Sequence, residues 1–183
     1  MALTYRISFA CGLTLLATAC ASGGGERSAP LPSAATPAAA ASVSAAPVIS
    51  AAAYLSNAAS IDLFEIRSAN VALQRSSNAR VREFADMMIA AHRGTASQLS
   101  LAGRRLNLLP AAHLNSRHEA MMAELVASSD FDAAYRRLQM QVHQEALALH
   151  RSFVSRGASP TLRPVAASAV PIVERHIRML RTL

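Results

Sequence analysis

The chain has 183 residues, 52% hydrophobic and only 16% charged, enough apolar material for one domain with a proper core. Its net charge of +7 is carried by Arg alone, since the sequence has no Lys. The Arg residues are scattered, as expected of solvated helix faces, with weak attraction to acidic surfaces as the alternative. Aromatic residues make up 4% with no Trp, too few rings for a base-stacking platform, and both cysteines, Cys11 and Cys20, lie in the first twenty residues. Nucleic acid is thus excluded as a partner, and disulfides and thiolate metal sites are excluded from the folded domain.

Residues 1–19 read as a secretory signal: Arg6, an apolar run from Ile7 to Leu16, then Ala17, Thr18 and Ala19 before Cys20. The run is too short to span a bilayer comfortably. Small residues before Cys20 and the Ala21-Ser22-Gly23-Gly24-Gly25 that follows resemble a bacterial lipoprotein processing site, which would make Cys20 a lipidated N-terminus anchored in the membrane. Ala17-Thr18-Ala19 also fits ordinary signal cleavage. Two locations therefore stay open: an outer-membrane lipoprotein on the periplasmic face of the envelope, or a soluble periplasmic protein. Residues 20–49 are Ala, Ser, Gly and Pro with almost no large apolar side chains, so a disordered tether is expected there.

The domain spans 50–183. A first helix is expected over Ala51 to Gln74, with Glu65 inside its apolar arc, and Ser76, Ser77 and Asn78 then supply a turn and cap. The second helix covers the stretch from Val81 to Leu106. Its apolar side carries Val81, Phe84, Ala85, Met88, Leu99, Ala102 and Leu106, interrupted by His92 in mid-arc. Asn107 to Asn115 reads as a loop. Ser116 with Glu119 resembles a capping box for a short helix from Arg117 to Val126. Ser129 with Asp132 repeats that signature before a helix that buries Phe131, Tyr135, Leu138, Val142, Ala146, Leu149 and Phe153 and ends at Gly157. His143 and His150 flank this stripe. Ser159-Pro160 is expected to open the last helix, which has His176 at the border of its stripe and Pro171 as a kink. The sum is an all-α bundle of four long helices plus one short helix.

Each long helix thus offers a carboxylate or imidazole at its apolar face: Glu65, His92, His143 with His150, and His176. Burying such groups costs several kcal/mol unless they are paired or coordinated, so their recurrence points to a meeting place. Imidazole and carboxylate are also the usual ligands of transition metals such as Zn, Cu and Fe.

Ala58 to Glu65, Ser77-Asn78, Val81 to Ala85 leading to Met88 and His92, Phe131 to Tyr135 leading to His143, and Pro171 before His176 occur here in an ordered series. In this the chain resembles the bacterial exported family known as domain of unknown function 4142. The resemblance covers nearly the whole domain and implies a ferritin-like up-down bundle and an outer-membrane or periplasmic location. Ferritin-like di-iron sites need Glu-x-x-His on two helices, whereas Ile89 precedes His92 by three residues and Val173 precedes His176 by three. Ala91 stands where the family often has an acidic residue. A di-iron centre of the standard kind is not expected, and a single Zn or Cu ion suits the His-rich set better.

Three functional readings remain from the sequence, the least favoured being a redox or hydrolytic metalloenzyme whose bound ion keeps an open position. In one of the others, the protein is a non-enzymatic envelope protein with a structural, interaction or stress-related role. In the other, it binds or buffers a metal through Glu65, His92, His143 and His176. No phosphate loop or nucleophile elbow argues for an enzyme, and paired Met87-Met88 and Met121-Met122 read as core filler.

Overall fold

The computed structural model describes residues 47–110 and 112–183. The signal segment, Cys20 and most of the expected tether lie outside the described residues. Five helices follow in order: α1 Ala51–Arg75, α2 Ala79–Arg104, α3 Ser116–Ala127, α4 Phe131–Arg156 and α5 Arg163–Leu180. Among the described residues there is no strand, only an isolated bridge between Ile49 and Gly157. Ile49, at the margin of the expected tether, donates its N–H to the Arg156 carbonyl at 3.2 Å and accepts from the Ala158 N–H at 2.9 Å.

Local chemistry sets the boundaries. Ser50 Oγ accepts the Ala53 N–H at 3.1 Å to start α1, and Asn78 Oδ1 accepts the Arg80 N–H at 3.0 Å to start α2. Two caps fall one residue away from the expected serines. Asn115, not Ser116, caps α3 by accepting the His118 N–H at 2.8 Å, while its own N–H is held by Ser60 Oγ at 2.9 Å. Asp130, not Ser129, caps α4 through the Ala133 N–H at 3.2 Å.

The expected start of the last helix at Ser159-Pro160 also needs correction. Ser159 Oγ accepts the Leu162 N–H at 3.3 Å and so caps only a single turn. Pro164 has no N–H to give the Pro160 carbonyl, which separates that turn from α5, and the helix proper begins at Arg163. At the other proline, Pro171, the helix runs on to Leu180 despite the bond missing at the Ala167 carbonyl.

α1 packs against α2 and α4, α5 packs against both α4 and α2, and α3 covers the α1 and α4 side. The four long helices therefore close a ring around a shared interior. Two apolar clusters fill it. One includes Phe64, Met88, Leu125, Tyr135 and Val142, and the other Tyr54, Leu55, Leu99, Phe153 and Leu162. Along α2 the polar His92 falls between Met88 of the first and Leu99 of the second.

Two glycines in helical surroundings should respond oppositely to a methyl group. Gly157 has φ −70°, so its backbone suits any residue, but a Cβ there would sit 2.5 Å from the Phe153 carbonyl and 2.7 Å from its ring. Gly94, inside α2, has nothing within 4 Å of its would-be Cβ. Gly157→Ala should cost about 1–3 kcal/mol through overpacking, while Gly94→Ala should add about 0.5–1 kcal/mol. Urea unfolding midpoints of the two variants check this, and equal effects of the same sign would contradict it.

Candidate functional site

His92 of α2, His143 of α4 and His176 of α5 meet in the interior, each placing one ring nitrogen within 4.8 Å of the other two. The ring centroids lie 5.3–5.6 Å apart with interplanar angles of 52–86°, so the imidazoles converge rather than stack. Relative exposures are 3% for His92, 0% for His143 and 2% for His176, so water reaches none of them freely.

The nitrogens facing inward are fixed by what holds the rings from behind. His92 Nδ1 lies 2.9 Å from Asp62 Oδ1, an acceptor, so Nδ1 carries a proton and, in the neutral ring, Nε2 keeps its lone pair. That Nε2 is buried and has no hydrogen-bond partner. Thr95 Oγ1 donates to the same Asp62 oxygen at 2.7 Å. His143 Nδ1 lies 2.8 Å from the Gln139 carbonyl, which again assigns the proton to Nδ1. Its Nε2 then faces His176 Nδ1 at 3.2 Å. Without an ion, the His176 Nδ1–H donates to that lone pair. Metal-bound histidines are held in the same way, with the second ring nitrogen donating to a carboxylate or backbone carbonyl.

The residues fit a metal ion. Two imidazole nitrogens on one tetrahedral centre, each about 2.0–2.1 Å from it, stand about 3.3 Å apart. The His143 and His176 pair, at 3.2 Å, already has that separation. His92, within 4.8 Å, would close by up to about 1.5 Å to complete the set.

Glu65 is placed differently from the other three expected residues. It is fully buried, and its Oε1 lies 3.2 Å from His143 Nδ1, on the opposite edge of the ring from the converging nitrogens. The Nδ1 hydrogen is directed at Gln139, and neither Glu65 oxygen has a hydrogen-bond partner. Glu65 thus lies behind one imidazole, off the side where the three rings converge. Asp62 was not singled out from the sequence, yet it orients His92. The one hint in the sequence is that Asp62 lies three residues before Glu65 on α1, a spacing that fits a solvated edge of the helix equally well.

The remaining buried histidines do other things. His150 Nδ1 is 3.1 Å from the Tyr54 hydroxyl, one layer along the bundle from the three converging rings. His118, which the sequence did not mark either, joins three helices: its Nδ1 is 2.7 Å from Ser60 Oγ and its Nε2 is 3.5 Å from Glu145 Oε1. Because Ser60 also holds the Asn115 N–H, this is a structural tie. His118 and Arg117 hold the Glu145 carboxyl below its usual range.

Residues 33–183 match the family described as "Domain of unknown function (DUF4142)". The chain belongs to that family. No curated protein matches the sequence. Among solved structures, CopM in the Cu(II)-bound form is 14% identical with a TM-score of 0.63, covering 74% of this chain and 96% of that one. CopM in the Cu(I)-bound form is 13% identical with a TM-score of 0.61, covering 72% and 93%. A DUF305 fragment from Deinococcus radiodurans is 20% identical with a TM-score of 0.63, covering 72% and 93%. At these identities the likeness is one of fold.

The site's electrostatics separate its histidines. Burial works to lower the His92 pKa, but the Asp62 hydrogen bond and the Glu65 and Asp62 charges outweigh it and raise the value. Burial first, and then His143, His92 and Arg175, pull His176 down to about 3. Burial likewise brings His150 to about 4, with Asp62 opposing and His92 assisting.

For His150 the folded value is below the unfolded one of 6.5, so its neutral form stabilises the fold above about pH 6.5. That stability is lost as pH falls through 6.5 toward 4. Between pH 7.5 and 5, His150 alone should remove on the order of 2 kcal/mol from the metal-free protein. His150→Gln keeps an acceptor for Tyr54 without the titration. Urea unfolding at the two pH values should show a smaller acid loss in this variant than in the wild type, and an equal loss would refute the assignment.

Proposed function

We propose that the protein binds one transition-metal ion, copper in preference to zinc, between His92, His143 and His176, and that it stores or buffers that ion. The supporting observation is the pair of inward lone pairs, His92 Nε2 and His143 Nε2, each held in place from behind by Asp62 or the Gln139 carbonyl. His92 Nε2 is buried and unpartnered, and it faces two further imidazoles, a place where a metal ion would satisfy it. Three imidazoles suit Cu or Zn, and affinity for such sites rises to a maximum at Cu. The fold shared with CopM, whose structures hold Cu(II) and Cu(I), points the same way. Burial on all sides favours holding an ion over turning over a substrate. Glu65 contributes charge from behind His143 rather than a fourth bond.

The proposal places this bundle, in the ferritin-like up-down arrangement, on the periplasmic side of the bacterial envelope. Lipidation of Cys20 would anchor it to the outer membrane, with 20–49 as the tether.

Protein purified without a His tag should take up one Cu(II) per chain in equilibrium dialysis. His92→Ala with His143→Ala should weaken uptake at least 100-fold, while His118→Ala should leave it unchanged. Copper at about 100 times its Kd should also stabilise the wild type by about 2.7 kcal/mol in thermal unfolding, and not the double variant. Equal copper uptake by wild type and double variant would sink the proposal.

A further inference from the structure

The three converging nitrogens are sealed from solvent, so an ion bound there needs a way in. Asp62 is the member of the cluster best placed to provide it. It is 7% exposed, more than any of the three histidines or Glu65. Its Oδ1 faces inward and takes both the His92 and Thr95 hydrogen bonds. Its Oδ2 has no hydrogen-bond partner and is not among the sealed polar atoms.

Two spaces meet at this carboxylate. Outside it is an open groove of about 370 Å³ between α1 and α2, lined by Ala59, Leu63, Ile66, Ala96 and Leu99, with Asp62 as its charged member. Beside it, in the layer of Tyr54 and His150, is a small cavity of about 10 Å³ that Asp62, Thr95 and Gln98 also border, with room for about one water. Apart from the backbone and Ser100, the groove wall is apolar, so a cation entering it meets one negative oxygen. That oxygen belongs to the carboxylate hydrogen-bonded to the first of the three imidazoles.

We infer that Asp62 is the entry carboxylate of the metal site: a divalent cation reaches it from the α1–α2 groove, exchanges water for its free oxygen, and passes from there to His92 Nε2 and the other two imidazoles. This rests on the metal-binding reading above and adds to it the route of loading. The charge of Asp62 then acts on the rate of association, which is where electrostatic attraction shows itself most. Its hydrogen bond to His92 is a separate contribution that a neutral amide oxygen can reproduce.

Stopped-flow loading of the metal-free full-length protein with Cu(II) separates the two. Asp62→Asn keeps an acceptor for His92 Nδ1–H but removes the charge, so the association rate should fall at least tenfold and lose most of its dependence on ionic strength, a larger change than any it makes to the dissociation rate. Ala96→Phe is a second variant; it fills the groove from a half-buried position without touching the histidines. It should slow loading by a similar factor with an unchanged endpoint. The entry role is overturned if Asp62→Asn acts only by speeding dissociation, or if both variants load at the wild-type rate. Failure of the wild type to bind copper at all would instead overturn the metal-binding reading and this inference with it.

Discussion

An imidazole inside a helix bundle can present a lone pair to the interior only if its other nitrogen is held by an acceptor from behind. Two of the three converging histidines satisfy that condition by different means. His92 uses a carboxylate on a neighbouring helix, and His143 uses the carbonyl of Gln139 one turn earlier on its own helix. The first couples α1 to α2; the second is local and depends only on α4 staying helical. Tilting either ring away would leave a buried donor unsatisfied, at a cost of about 1–3 kcal/mol, so the orientation is stable before any ligand arrives.

The helix boundaries serve this placement. Closing α1, α2, α5 and α4 into a ring brings one face of each to a common axis, and apolar clusters at either side of the polar layer hold those faces in register. Tyr54 stacks on Phe153 at 3.9 Å between ring centroids and hydrogen-bonds His150 through its hydroxyl, joining the apolar and polar layers in one side chain. On the α3 side, His118 between Ser60 and Glu145 ties the short helix to both of its neighbours.

The periodicity of apolar residues was sufficient to read all five helices and to place His92, His143 and His176 on interior faces, because a helix repeats its face every three to four residues regardless of tertiary context. It could not tell which edge of a ring Glu65 would meet, since that depends on the rotation of α1 against α4. Asp62 was overlooked because a carboxylate three residues from another reads as a solvated edge until the packing shows it only 7% exposed. The caps at Asn115 and Asp130 were misjudged for a related reason: adjacent polar residues compete for the same N–H, and the Ser60 contact that favours Asn115 comes from a helix far away in sequence. The late start of α5 could have been read, because Pro164 cannot donate to Pro160.

Glu65 carries the remaining step of the argument. A carboxylate with no exposure and no hydrogen-bond partner on either oxygen is costly in a helix interior unless positive charge lies close by. None of the arginine contacts involves it; its near neighbour is His143 Nδ1. His176, held near 3, is no source of positive charge at neutral pH, whereas the Asp62 hydrogen bond and the Glu65 and Asp62 charges outweigh burial and raise the His92 pKa. A cation bound by three neutral imidazoles would supply that charge one ring away, and Glu65 and Asp62 would lie on two sides of it without occupying its coordination positions. With the carboxylates behind the rings, only nitrogens converge on the interior, a donor set that would suit a softer ion better than the oxygen-rich cages used for hard cations.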